Sequence, residues 1–155
     1  MSYEKAKAHL EKFGLENNIL TFEVSSATVP EAAIAVGCAP AQIGKTLSFL
    51  VNEKPVLIVV AGDAKVDNKK FKAEFGKRPK MIPFEDVENL IGHGVGGVCP
   101  FGINEGVGVY LDESLSRFEI IHPAAGESNN AVRLTLPQLE EASRFVKWVD
   151  VCILG

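Results

Sequence analysis

An unbroken apolar run at residues 55–62 constrains the fold more than any other feature of this sequence. The run is rich in valine and isoleucine, and Lys54 and Asp63 close it at its two ends. It is far shorter than the ~20 residues that a membrane-spanning helix needs. We therefore predict a strand over residues 56–61 that is buried on both faces, as a strand in the middle of a sheet would be.

The segments around this run predict a mixture of hairpins and helices. Residues 46–51 form a second apolar strand pattern, and the turn signal at residues 52–55 makes the two strands a hairpin. Further strands are predicted over 19–24, 81–82, 107–111, 118–121, 132–136 and 148–153, and helices over 2–13, 32–36, 67–75, 85–91 and 137–145. Adjacent hairpins with intervening helices indicate an α/β (α+β) fold with a mixed sheet, and not a doubly wound parallel one.

Composition limits the class of protein. With 155 residues, 46% hydrophobic and 23% charged, the chain has enough apolar residues for one core, so we expect a single domain over residues 1–155. Three cysteines without C-x-x-C spacing argue against a disulfide framework and a zinc site. The first ten residues lack an apolar signal-peptide core. We therefore expect a cytoplasmic protein with no metal, no cofactor and no membrane segment.

The charge is unevenly distributed. Residues 65–80 contain seven basic and two acidic side chains, a local charge of +5, so that the other residues sum to −9. A basic segment on an acidic body is typical of a protein that contacts a polyanion at one place, and Lys69, Lys70 and Lys72 are the candidates for that contact. The alternative is a solvated helix face without a partner.

Two nucleotide-binding motifs fail in their context. Ile43-Gly44-Lys45-Thr46 ends like a P-loop, but Ala39 stands where the first glycine belongs, and the motif precedes a strand instead of a helix. Residues 92–97 fit G-x-G-x-x-G, but Pro100 and the glycines around it prevent the helix that the dinucleotide fingerprint requires. We therefore predict neither a nucleotide triphosphatase nor a dinucleotide-binding protein.

The glycine-rich segment at residues 92–108 still has a chemical use. Seven of its seventeen residues are glycine, so it forms no regular element. Glycines let backbone N–H groups approach a ligand closely, which makes the loop Gly96-Gly97-Val98-Cys99-Pro100-Phe101-Gly102 a candidate binding site. The alternative is an irregular crossover with a purely structural role.

Three motifs in fixed order resemble one known family. They are Lys45-Thr46-Leu47 at the start of a strand, the loop at residues 96–102, and Ala124-Ala125-Gly126 ahead of the strand at 132–136. Together they resemble the YbaK/EbsC type of prolyl-tRNA editing domain, a free-standing relative of the editing insertion of bacterial prolyl-tRNA synthetase. The resemblance implies a partly barrel-like mixed sheet flanked by helices. It also implies metal-free hydrolysis of the ester of a mischarged tRNA, tRNA-Pro with a small non-cognate amino acid.

The resemblance also implies roles for single residues. Lys45 and the backbone amides of Gly96, Gly97 and Cys99 are the expected catalytic groups, acting on the ester and its developing oxyanion. The expected substrate-binding residues are Thr46, Val98, Pro100, Phe101, Ala125, Gly126, Ser128 and Asn129. The expected partner is the acceptor end of an aminoacyl-tRNA, so that the polyanion expected at Lys69, Lys70 and Lys72 is tRNA. Prolyl-tRNA synthetase is a second candidate partner.

One departure from the family pattern concerns substrate choice. Several relatives carry a histidine soon after the Ala-Gly turn, whereas this chain has Ser128, Asn129, Asn130 and Ala131. The amino-acid specificity of the relatives therefore cannot be transferred to this chain, and a role for the Asn129/Asn130 pair stays open.

Other candidates leave alternatives open. Cys99 is either a nucleophile or a packed thiol, and His93 is either a site residue or a neighbour of the loop. Three functions follow: an aminoacyl-tRNA deacylase, a non-catalytic module that binds the tRNA end, and a hydrolase of small esters or thioesters.

Overall fold

A computed structural model describes residues 2–154 of the chain. The helices are α1 (Ser2–Glu11), α2 (Val29–Val36), α3 (Asn68–Phe75), α4 (Phe84–Ile91) and α5 (Leu136–Ser143). The strands are β1 (Ile19–Thr21), β2 (Ile43–Val51), β3 (Lys54–Ala61), β4 (Ala64–Val66), β5 (Gly108–Asp112), β6 (Ile120–Pro123), β7 (Asn130–Val132), β8 (Leu134–Thr135), β9 (Lys147–Val149) and β10 (Cys152–Leu154). Within the described residues, no helix is long and apolar enough to cross a bilayer.

The main sheet has six strands in the order β8-β6-β2-β3-β5-β9. Strands β2 and β3 pair antiparallel, while β6 lies parallel to β2 and β5 parallel to β3. Two small sheets, β1 with β7 and β4 with β10, complete the structure. The predicted mixed sheet is confirmed, and its curled, half-barrel shape matches the expected architecture.

The hairpin of β2 and β3 is confirmed as the centre of the sheet. Its turn consists of Asn52 and Glu53, both with positive φ, as a tight two-residue hairpin turn requires. Residues 57–61 of β3 are completely buried, because β2 and β5 flank the strand and elements pack on both faces. The apolar run therefore occupies the position that its composition predicts.

Local signals also explain the helix ends. The side chain of Thr28 accepts a hydrogen bond at the start of α2, and that of Asp67 does the same at the start of α3. Helices α2, α3 and α4 end at Gly37, Gly76 and Gly92, each in the left-handed conformation. The first helix ends two residues earlier than predicted, at Glu11.

Several strand predictions are wrong in detail. The strand predicted over 132–136 is two strands, because β7 pairs with β1 whereas β8 pairs with β6. The strand predicted over 148–153 is likewise divided between β9 and β10, and residues 81–82 contribute only a single bridge between Met81 and Phe49. The short strand β4 was not predicted. In each case the pairing partner is distant in sequence, so local pattern does not reveal where one strand ends.

Candidate functional site

A cavity of about 370 Å³ lies along β2 where that strand has no neighbour on one side. Strand β6 pairs with β2 only at Ile43 and Gly44, and the chain meets β2 again at Phe49 through Met81. Between these points the edge of β2 is open. The cavity is lined by Ser26, Ala27, Thr28, Val29, Ala32, residues 43–48, Met81, Ile82, Phe84, Val87, Val95, Gly96, Val98, His122, Ala124, Asn130 and Ala131.

The open edge presents backbone groups to the cavity. The Leu50 N–H donates to the Lys80 carbonyl (2.8 Å), and the Ile82 N–H donates to the Ser48 carbonyl (3.2 Å). Even-numbered residues of β2 therefore direct their backbone groups away from β3, since residues of an antiparallel pair alternate in this respect. It follows that the N–H and C=O of Thr46 and the N–H of Ser48 face the gap, where the described residues offer them no strand partner.

Lys45 and Thr46 line the cavity from opposite faces of the sheet, because successive side chains of a strand alternate. The Lys45 ammonium donates to the Ala64 carbonyl at 3.0 Å, which fixes its position and leaves two further N–H groups. The hydroxyl oxygen of Thr46 is buried and has no hydrogen-bond partner within residues 2–154. The two residues could therefore contact a ligand that lies across the strand edge.

The glycine loop reaches the cavity through only part of its length. Gly96 and Val98 line it, and Gly96 has a φ of +97° that favours glycine. Gly97 does not line the cavity; its N–H donates to the Gly94 carbonyl at 3.0 Å. The loop residues that a ligand in the cavity would contact are therefore Gly96 and Val98.

Cys99 and His93 lie together behind the loop, outside the cavity lining. Both are fully buried. The His93 Nε2 lies 2.6 Å from the Phe101 carbonyl oxygen, which can only accept, so this nitrogen carries a proton and cannot take one from the Cys99 thiol 3.5 Å away. Burial raises the pKa of Cys99 to about 12 and lowers that of His93. The pair is thus arranged as packed neutral groups.

The remaining loop residues, Pro100 and Phe101, are buried and lie outside the cavity lining. The Phe101 ring packs beside the ring of His9 on α1, with 5.8 Å between the ring centroids. These residues hold the loop against the rest of the molecule.

The side chain of Asn130 forms hydrogen bonds with the backbone of the Ala-Gly turn. Its side-chain oxygen accepts from the Ala125 N–H (3.1 Å), and its amide nitrogen donates to the Ala125 carbonyl (3.1 Å). Ala125 and Gly126 do not line the cavity themselves, although Ala124 and Asn130 do. The asparagine is therefore a positioning residue for the turn.

Ser128 and Asn129 join this turn to the segment after β1. The Ser26 N–H donates to the Ser128 carbonyl (2.6 Å), and the Asn129 side chain donates to the Phe22 carbonyl (3.2 Å). Ser128 borders a second cavity of about 390 Å³, together with Gly97 and Gly126. Neither Ser128 nor Asn129 lines the cavity along β2.

Sequence reasoning missed His122, which lines the cavity and is only 3% exposed. Within the described chain no group meets the geometry of a hydrogen bond at either ring nitrogen. Burial and, to a lesser extent, the positive charge of Arg133 lower the pKa of His122, and the Gln42 backbone partly opposes this shift. The only sequence signal was its position just before Pro123 and the Ala-Gly turn.

The lysines proposed for tRNA contact lie on α3, away from the cavity lining. Lys69 and Lys72 are exposed. Lys70 forms a salt bridge with Asp150 (3.1 Å) and donates to the Cys152 carbonyl (3.0 Å), so part of its hydrogen-bonding capacity is already used. In the part of the chain that the structure describes, no three His, Cys, Asp or Glu side chains are grouped so that they could hold a metal ion.

Comparison with known proteins identifies relatives along the whole chain. The family model of the aminoacyl-tRNA editing domain matches residues 23–142. The "Uncharacterized protein YwhH" of Bacillus subtilis (strain 168) is 44% identical over 153 residues, which are 98% of each chain. The proline–tRNA ligase of Bacillus cereus (strain AH820) is 27% identical over 149 residues; these cover 96% of this chain but 25% of the ligase.

Solved structures give the same result. A crystal structure described as "a putative trans-editing enzyme for prolyl tRNA synthetase" superposes with a TM-score of 0.87 at 29% identity, covering 97% of this chain and 96% of the other. The "hypothetical protein APE2540" superposes with a TM-score of 0.85 at 27% identity, covering 96% and 99% of the two chains.

Proposed function

The chain belongs to the aminoacyl-tRNA editing domain family, and from this premise we propose that it is a trans-acting aminoacyl-tRNA deacylase. The proposed reaction is hydrolysis of the ester that joins a small non-cognate amino acid to the 3′ end of tRNA-Pro. One observation carries the proposal: Lys45, Thr46 and the glycine loop meet at one cavity beside an open strand edge. The similarity to proline–tRNA ligases supports the choice of tRNA, and a ligase of this kind is a proposed partner.

The proposed chemistry needs no side-chain nucleophile. A water molecule attacks the ester carbonyl carbon, the bond to the ribose 3′ oxygen breaks, and this oxygen leaves with a proton, so that free amino acid and intact tRNA result. The neighbouring ribose hydroxyl can help to place the water. The enzyme then has to stabilise the charge on the carbonyl oxygen, for which the amides of Gly96 and Val98 and the Lys45 ammonium are the proposed donors.

The open edge of β2 suits an aminoacyl group. Such a group has an ammonium that donates and an ester carbonyl that accepts, which is the pattern of one residue in an added strand. The Thr46 carbonyl and the Ser48 N–H could receive these two groups. Among the described residues no Asp or Glu lines the cavity, so the acceptors available to the ammonium are the Thr46 carbonyl and neutral side chains such as the Thr46 hydroxyl and His122.

A panel of mischarged prolyl tRNAs tests this function. Purified protein should release alanine, serine, threonine or cysteine from the tRNA in the presence of a chelator, and should leave the prolyl ester intact. Binding of the tRNA without release of any amino acid would indicate the alternative, a non-catalytic binding module. Equal turnover of free aminoacyl esters and aminoacyl-tRNA would instead indicate a hydrolase of small esters.

A further inference from the structure

Three exposed apolar side chains surround the mouth of the cavity. Phe84 is 75% exposed, Met81 58% and Val95 53%, and all three line the cavity. Single exposed apolar residues are common, but a group at one cavity indicates a surface that a ligand covers. Because Phe84 stands at the start of α4, its ring is fixed to a regular element rather than to a loop.

Basic side chains directly precede the apolar rim, which consists of Phe84, Met81 and Val95, in the sequence. Lys77, Arg78 and Lys80 are exposed, and among residues 2–154 none of them forms a salt bridge. Lys80 directly precedes Met81, and its carbonyl is fixed to the edge of β2 by the Leu50 N–H. These three residues are therefore next to the cavity in the chain, whereas Lys69, Lys70 and Lys72 belong to α3.

The charge beyond Phe84 has the opposite sign. Glu85 and Asp86 occupy the first turn of α4, where they complement the helix dipole. A phosphate group would be repelled there, but the neutral face of a base would not. Along the chain, cations thus precede the rim and acidic residues follow Phe84, whose aromatic ring lies at the cavity itself.

We propose that the rim of Phe84, Met81 and Val95 binds the terminal adenine base of the tRNA, and that Lys77, Arg78 and Lys80 bind the phosphates just before it. Proteins that hold single-stranded nucleic acid combine basic residues with aromatic rings on which bases stack. The ester next to the stacked adenosine would then enter the cavity. This inference rests on the proposed function, and it assigns recognition of the tRNA end to particular residues.

A binding experiment without catalysis tests the platform. In Phe84→Trp, a CCA trinucleotide without an amino acid should quench the new indole fluorescence, because the adenine stacks on the ring. The CC dinucleotide joined to an abasic ribose should quench far less. Trp148 fluoresces in both the wild type and Phe84→Trp, so the wild type with the same ligands measures the background signal. Equal quenching by the two ligands would overturn the inference.

Kinetics test the same ring independently. Phe84→Ala should raise KM for aminoacyl-tRNA about tenfold, as expected for the loss of one stacked base, and Phe84→Tyr should retain the wild-type value. Ile34→Ala is the matched control, because Ile34 is 83% exposed but does not line the cavity. An unchanged KM in folded Phe84→Ala would contradict the platform.

Charge reversal tests the cations. Changing Lys77, Arg78 and Lys80 to Glu should weaken tRNA binding and flatten the dependence of log affinity on log salt concentration. The same change at Lys65, Lys69 and Lys72, which are also exposed, should do so much less. A larger loss in the second variant would place the tRNA on α3 instead.

The two proposals fail in different ways. Quenching by CCA without any deacylation would support the platform and contradict the proposed function. Deacylation with unchanged KM in Phe84→Ala would support the proposed function and contradict the platform.

Discussion

The backbone of Gly97 packs directly against the carbonyl of Gly126, so that a Cβ at position 97 would lie 2.5 Å from that carbonyl oxygen. Real Cβ atoms do not approach an oxygen so closely. The contact joins the glycine loop to the Ala-Gly turn, two segments that lie far apart in the sequence. Packing between two backbones therefore requires glycine at position 97.

Gly97→Ala should lower the free energy of unfolding by about 1–3 kcal/mol, the usual cost of forcing a group into a packed site. Because the loop has to move, deacylation should fall as well. The control is Gly94→Ala, whose Cβ would meet only the Glu88 side chain at 3.7 Å. Urea denaturation and turnover of both variants measure the effect. Equal stability of the two variants would show that the contact with Gly126 does not require glycine at position 97.

Lys45→Ala should reduce turnover about a hundredfold, the usual effect of removing a donor to an oxyanion. Loss of the bond to the Ala64 carbonyl should cost only about 1 kcal/mol of stability. Lys65→Ala, in the strand that contains Ala64, is the control for the loss of a lysine. Single-turnover kinetics on mischarged tRNA check this, and nearly normal turnover of a folded Lys45→Ala would remove Lys45 from the mechanism.

Cys99→Ser should retain substantial activity, because the thiol is buried, outside the cavity, and has its pKa raised to about 12 by burial. Alkylation of the native protein with iodoacetamide should modify Cys38, which is partly exposed, before Cys99 or Cys152. Mass spectrometry identifies the modified residue. Trapping of an aminoacyl thioester on Cys99 would establish the nucleophile that we reject.

Stability should decrease as the pH falls below about 6.5. Burial lowers the pKa of His122 in the folded protein, so between the folded and unfolded pKa values the unfolded chain binds more protons and is favoured. Each such histidine adds at most about 1.4 kcal/mol per pH unit to the slope of the free energy of unfolding against pH. Urea midpoints from pH 8 to pH 5 should therefore fall less steeply in His122→Asn than in the wild type. Parallel curves would mean that His122 is protonated equally in both states.

The sequence by itself determined the elements whose causes are local. The apolar run at 56–61 had to be a central strand, because a continuous run of β-branched residues suits a strand covered on both faces. Thr28 and Asp67 begin their helices because a side-chain oxygen satisfies the first amides, and Gly37 and Gly76 end them because glycine adopts positive φ. The motifs at Lys45 and Gly96 also predicted the family, because their residue types and their order along the chain are visible in the sequence alone.

Only the tertiary structure decided which backbone and side-chain groups face the cavity. The open edge at Thr46 exists because β6 leaves β2 after Gly44, and the placement of His122 follows from that same pairing. The separation of loop residues into those that line the cavity, such as Gly96, and those packed behind it, such as Cys99, also depends on distant contacts. Local pattern encodes the conformation of a segment, whereas the neighbour of a strand edge is set by packing between segments far apart in the chain.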